Sequence, residues 1–258
     1  LCRGDLISFC DQDDVWKRHR LRRMARPFKK PDVLLAFHNA TVVDGRGAPV
    51  GQTFQRSSDK TYAPLELPPW TIVPGFSQVF RRSMLAYLEF YEHSVDVYCP
   101  SEKMPHDQWF LFLASLFGSI AYVPDRLALY RQHGLNSSGW LPSAPLAYAV
   151  HSVTHARYYA NAASLAVANR LSILTELRRR RHDLEKVNAA IDHYLAMKRH
   201  TELRSQLYAS RSLRNRAYSM FALIRDRAYT RSRARLGLDN LVLDMCVGLP
   251  VGPVLRTA

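Results

Sequence analysis

Leu6-Ile7-Ser8-Phe9-Cys10 is a short, almost continuous apolar run, the pattern of a buried strand, and it stops at the polar cluster Asp11-Gln12-Asp13-Asp14. Trp16 to Met24 then reads as a helix, and Val33 to Phe37 as a second strand. Asp44-Gly45-Arg46-Gly47 is a turn signal. Ser83 is placed to cap a helix from Met84 to Tyr91. Pro105 opens another helix, His106 to Phe117, with Gly118 as its stop. Ile120 to Val123 is a strand that Pro124 ends. Further along, Leu171, Leu174 and Leu177, and then Leu184, Val187, Ile191 and Leu195, recur at helical spacing. They predict helices over roughly 145–180, 183–210, 213–235 and 239–247.

Proline and glycine divide the chain in the same way. Twelve of the 14 prolines and 8 of the 11 glycines precede residue 146, and none of the prolines lies between Leu146 and Leu249. A loop-rich α/β region over 1–144 and a mainly helical region over 145–258 follow from that partition. Hydrophobic residues make up 47% of the 258, enough for a packed core.

The net charge of +14 adds a second asymmetry. Residues 1–150 hold 17 Lys and Arg against 14 Asp and Glu, whereas residues 151–258 hold 19 against 8. The basic character belongs to the helical region. It suits an anionic partner such as a phospholipid headgroup, a lipid diphosphate or a nucleic acid; solvated arginine-rich helix faces are the plainer alternative. Cys2, Cys10, Cys99 and Cys246 form no CxxC pair and read as reduced thiols of a cytoplasmic protein. The apolar stretch Leu241 to Leu255 carries Asp244, Pro250 and Pro253 and is too short to span a bilayer. The chain opens on Leu1 and runs at once into a strand, which suggests a missing N-terminus.

The acidic cluster carries the chemistry. Carboxylates at the end of a strand lie at the sheet edge where open α/β folds bind ligands. In extended chain, Asp11 and Asp13 face the same side and can converge on one cation. Oxygen ligands suit magnesium or manganese, which would neutralise a diphosphate leaving group. An acidic turn favouring the dipole of the next helix is the structural alternative. Asp107, in the first turn of its helix, is either a general base or an ordinary helix-start carboxylate. His133, in the polar run Gly134 to Ser137, could ligate a manganese-like cation. Trp16 and Trp109 suit core packing more than ring stacking, and Arg81 and Arg82 read as solvated.

Gly4 to Trp16, with Asp11-Gln12-Asp13-Asp14 at its centre, resembles the DXD region of family 2 glycosyltransferases of the GT-A fold, in the style of bacterial rhamnosyltransferase-like members. Leu35 to Gly47, Pro74 to Arg82, His106 to Trp109, and Tyr130 to His133 with Asn136 and Gly139 resemble the family's later segments, in the same order. The resemblance covers about residues 3–140. It implies a partial GT-A mixed sheet with flanking helices, making 1–144 the C-terminal part of a catalytic domain and 145–258 a basic helical appendage. It also implies a metal-dependent inverting transferase, moving a sugar such as rhamnose from a nucleotide-diphosphate donor. The acceptor would be a glycan or a polyprenyl-diphosphate-linked sugar of surface polysaccharide synthesis.

Residue by residue, the resemblance places Asp11 by the nucleotide ribose, Asp13 on the Mg2+ or Mn2+, and Asp14 in support. Asp107 becomes the base, His133 a later metal or diphosphate ligand, and Arg131 a contact to the diphosphate. The family's leading Tyr-Asn and Asp-Asp-Gly-Ser segments, which build the nucleotide pocket, do not occur here, and the strand at 6–10 would need parallel neighbours on both sides. The 258 residues alone are therefore expected to bind nucleotide-sugar poorly and to be inactive. Arg178-Arg179-Arg180-Arg181, Lys198-Arg199 and the later arginines are expected to hold the protein peripherally on an anionic inner membrane face. The competing readings are a nucleic-acid binder, for which no recognisable motif is present, and a non-catalytic membrane or assembly module of the same fold.

Overall fold

The computed structural model describes residues 2–132, 151–229 and 238–254. It comprises two compact units, one built from residues up to Tyr91 together with those from Pro105, the other from Glu92–Met104 together with the C-terminal helices. The architecture is α/β with a mixed sheet and flanking helices, followed by a helical region, as expected.

Among the described residues the sheet has seven strands: β1 (Leu6–Ser8), β2 (Val15–Trp16), β3 (Val33–Val43), β4 (Pro49–Gln52), β5 (Lys60–Tyr62), β6 (Gln78–Arg81) and β7 (Ser119–Arg131). Their order is β1-β6-β3-β7-β2, with β4 on β3 and β5 on β7. β3 and β7 are the parallel central pair, and the other pairings are antiparallel. Nearly every residue of β3 is buried, as a central strand covered on both faces requires.

The ladder between the central strands slips at His38, Asn39 and Thr41. Asn39 repairs it. Its Oδ1 accepts from Ala40 N at 2.9 Å, Phe54 N at 3.0 Å and Thr53 Oγ1 at 2.9 Å, while its Nδ2 donates to Phe54 O at 2.8 Å. Opposite, β7 runs straight through Pro124 instead of ending there, because Pro124 and Asp125 fall in the gap between the paired residues Val123 and Arg126. A proline with no N–H to offer costs nothing in a bulge.

Four other expectations are corrected. Val15 and Trp16 pair with Leu129 and Ala128, and Lys17 N donates to Leu127 O, so the helix begins only at α1 (Arg20–Ala25). Residues 82–87 form a 3-10 turn without a side-chain cap at Ser83, and the α-helix that follows, α2 (Leu88–Tyr91), is a single turn. β1 has one neighbour, β6, and it is antiparallel. Its three residues are only half-buried, which fits an edge strand and removes the need for parallel partners. Arg81 is also not solvated: its guanidinium donates to the carbonyls of Val33, Phe28 and Lys30.

α3 (His106–Phe117) has the predicted bounds and is apolar nearly all round, with Trp109 fully buried. A Cβ on Gly118 would lie 2.4 Å from Asp32 O, so only glycine lets α3 turn directly into β7.

Beneath β1 lies a buried cation. Arg20 donates from Nε to His38 Nε2 (2.9 Å), and from Nη2 to Ser8 Oγ (3.0 Å) and Phe76 O (2.6 Å). Its guanidinium also covers the Trp16 ring at 3.8 Å. A guanidinium can only donate, so His38 Nε2 accepts and its proton sits on Nδ1, which donates to Asn39 O at 2.7 Å. Burial, reinforced by Arg20, pushes the imidazole pKa down to about 3.

The helical unit holds α4 (Ala156–Arg179), α5 (Leu184–Ala209), α6 (Leu213–Arg225) and α7 (Leu238–Leu243), then a tight segment to Val254. Asp183 and Ser212 cap α5 and α6 by accepting from Lys186 N and Asn215 N. α6 stops ten residues short of the expected 235: Arg227 takes φ 53° and Ala228 N folds back to Leu223 O. Residues 145–150 and 230–235 of the expected helices lie outside the described residues. The core of this unit includes Leu207, Tyr208, Met220, Leu223 and Val247. Within it Asp244 is completely buried, accepting from Arg204 Nε (2.9 Å to each oxygen), Tyr208 OH (2.8 Å) and Tyr229 OH (2.8 Å). Burial next to that carboxylate pushes both phenols far up.

Two predictions follow from these buried groups. Between pH 6.5 and about 3 the unfolded chain binds a proton at His38 that the native state refuses, so native stability falls as pH falls. Relative to His38→Gln, the wild type should lose up to about 1.4 kcal/mol per pH unit across that window in urea titrations; the difference is needed because the raised Asp14 carboxyl acts in the opposite direction. Arg204→Met strands a buried carboxylate and should cost about 3–5 kcal/mol, whereas Arg204→Met with Asp244→Leu should recover most of it.

Candidate active site

Strands β1 and β2 stand at opposite ends of the strand order, so residues 9–14 connect one end to the other and carry the acidic cluster with them. Phe9 fixes the start of this loop. Its ring meets Phe80 at 5.3 Å, Phe110 at 5.8 Å and the His106 imidazole edge-on at 4.5 Å. Arg131, at the end of β7, fixes the other end. Its N–H donates to Asp14 Oδ1 (3.1 Å), its Nε to Asp13 O (3.3 Å) and its Nη1 to Gly45 O (3.4 Å).

The three carboxylates sit within electrostatic reach of one another. Asp14 is pushed up to about 7, mainly by burial and further by Asp11 and Asp13, against the Arg131 N–H that favours its charge. Its Oδ2 is buried and has no partner among the described residues. Asp11 is also raised, by burial first and Asp13 second, while His106 favours its ionised form. Arg20 lies below: burial lowers its pKa to about 10, and Cys10 and Asp14 raise it. Its Nη1 is buried without a partner among the described residues.

Asp107 occupies the first turn of α3. Burial raises its pKa, while His106 and the N–H groups of Gln108 and Gly75 favour the carboxylate. Gln108 N donates to its Oδ1 at 2.8 Å. Gln78 Nε2 holds the turn from beneath, donating to Asp107 O (3.2 Å) and Val73 O (2.8 Å). Gly75 packs close: a Cβ there would meet both Asp107 Cβ and His106 Nε2 at 3.3 Å. His106, whose ring packs against Phe9 at the start of the acidic loop, thus acts on both Asp11 and Asp107.

The structure holds Asp13 and Asp14 against Arg131, sets Asp11 within electrostatic reach of both, and has His106 act on Asp11 and on Asp107. His133 lies outside the described residues, and among the described residues no group of three His, Cys, Asp or Glu side chains is placed to hold a metal. The donors present still suit a hard cation: they are carboxylate oxygens, and one of them, Asp14 Oδ2, is buried and has no hydrogen-bond partner among the described residues. Trp109 is core, and Trp16 packs against Ala40, Phe76 and Tyr130. The four cysteines are free. A cleft of about 330 Å3 in the helical unit is lined by Gln206, Ala209, Ser210, Asn215, Tyr218 and Ser219, with no carboxylate among them.

The residues that sequence reasoning missed are Arg20, His38 and His106. Arg20 hides in a basic run from Lys17 to Arg26 that reads as solvated, and nothing in its spacing marks it as the buried one. His106 was legible in position only, as the residue before Asp107.

Residues 1–88 match the model of a family described as glycosyl transferase family 2. An uncharacterized glycosyltransferase of Nostoc sp. is 27% identical over 139 residues, covering 52% of this chain and 41% of the relative. The chain thus spans about two fifths of that relative's length. Asp107 and Arg131 lie beyond the family match, and the acidic loop and Arg20 lie within it. The part of the chain that builds β1, the acidic loop and the buried arginine is similar to glycosyl transferase family 2, whose members transfer glycosyl groups.

Proposed function

We propose that the α/β unit carries the acidic-loop and base side of a metal-dependent, inverting glycosyltransferase. The observation that supports this reading best is that His106 acts on Asp11 of the acidic loop and on Asp107 of α3, while Asp11, Asp13 and Asp14 lie within electrostatic reach of one another. The donor would be a nucleotide-diphosphate sugar, with rhamnose as one candidate, and the acceptor a glycan or a polyprenyl-diphosphate-linked sugar.

In this reading Asp13, with His133 as the second ligand, would hold Mg2+ or Mn2+, and Asp14 offers its unsatisfied oxygen to the same end of the loop. The cation, when bound, supplies positive charge to a departing diphosphate. Asp11 takes the ribose side, and Arg131 steadies the loop while presenting its charge to the diphosphate. Asp107 accepts the proton of the acceptor hydroxyl. Its partial burial suits that task, because a carboxylate with a raised pKa is a stronger base than one in water, and the Gln108 and Gly75 N–H groups keep it oriented.

Nucleoside-diphosphate release is the test, measured across nucleotide sugars with manganese and lipid acceptor on the full-length protein. Asp107→Asn should lower turnover by about 10²–10⁴-fold with donor binding retained. Asp13→Ala should abolish the response to manganese. Since Asp107 works only when ionised and its pKa is raised, the rate should climb with pH through that pKa and then level. Full activity in Asp107→Asn would sink the proposed base.

A further inference from the structure

Among the described residues of the helical unit, α6 exposes a broad apolar face. α6 buries Arg216, Ser219, Met220, Ala222 and Leu223. Its opposite face exposes Leu213 at 61%, Tyr218 at 66%, Phe221 at 63% and Ile224 at 52%. At about 100° per residue these four fall within one arc of about 140°. Arg214 and Arg225 project from the same arc, and Arg211 precedes it; all three are exposed. The helix contains no Asp or Glu, and the neighbouring Asp226 is engaged by Arg199 and Arg225.

Large apolar side chains standing in water next to arginines mark a surface made for a partner. The charges narrow the choice. A second copy of this face would set arginine against arginine. Nucleic acid phosphates would satisfy the arginines and leave Leu213, Phe221 and Ile224 in water. An anionic bilayer satisfies both sets, because aliphatic and aromatic groups enter the acyl boundary while long basic side chains reach back to the phosphates. α6 has 13 residues, too few to cross a membrane, and no helix among the described residues is long and apolar enough to do so.

We propose that the exposed face of α6 docks this protein on an anionic lipid bilayer, with Leu213, Phe221 and Ile224 at the acyl boundary and Arg211 and Arg214 on lipid phosphates. The docking stands whether or not the α/β unit transfers sugar.

The test is co-flotation of the 258-residue chain with vesicles of phosphatidylcholine alone or mixed with phosphatidylglycerol. Binding should require phosphatidylglycerol and weaken with salt. Phe221→Asp with Ile224→Asp should reduce it at least tenfold, and Arg211→Gln with Arg214→Gln should remove the preference for the anionic lipid. All four side chains are exposed, so the thermal unfolding midpoint should stay put and report a folded protein. Phe221→Trp should be quenched by brominated phosphatidylglycerol, a gain of signal that no loss of fold can imitate. Absence of flotation with either vesicle, flotation indifferent to both double variants, or self-association that the Phe221→Asp variant abolishes would overturn the proposal.

Discussion

The α/β unit depends on a charge held out of water. Arg20 is almost completely inaccessible, yet its guanidinium reaches an edge strand at Ser8, a central strand at His38 and the turn before β6 at Phe76. Removing a cation from water is costly unless its donors find acceptors. Here three acceptors and the face of Trp16 offset that cost. The same charge sits below a loop whose carboxylates repel one another, so the buried cation and the acidic loop compensate. Arg131 adds a second cation to this corner, its N–H donating to Asp14 and its guanidinium to the Asp13 carbonyl, and His106 favours the charge of Asp11.

Much of the fold was readable from the residues because pattern and burial agreed there. α3 is apolar on almost every side, is introduced by Pro105 and ends at a glycine that nothing larger can replace, and it has the limits read from sequence. α5 is within a residue of its expected span because Asp183 caps it and its apolar positions keep period. The acidic loop was legible because carboxylates after an apolar run are rare and easily seen.

Where pattern and burial disagree, the reading failed for identifiable reasons. Val15 and Trp16 look like the front of a helix, but pairing to β7 overrides a weak local preference. Pro124 looks like a stop, and becomes tolerable only because the partner strand slips at Asn39, a distant event with no local trace. The choice of Arg20 from a run of basic residues is likewise tertiary: its neighbours Arg18, His19 and Leu21 are exposed and it alone turns inward. The exposed apolar arc of α6 was hidden for the opposite reason. A 13-residue helix with apolar groups on two sides gives no clean stripe, so only the packed structure separates its buried side from its bare one.

The bonds that close the acidic loop join residues 117 and 118 positions apart along the chain. Loops of that length close slowly, since conformational freedom must be surrendered before any contact repays it. On a growing chain, the carboxylates are made early and their tether, Arg131, much later. The acidic corner is therefore a late product of folding: β1 can pair only once β6 has been made, and its acidic cluster is tethered only once β7 reaches Arg131. An incomplete chain would hold the site's chemistry in its sequence without its geometry, which confines any activity to the finished domain.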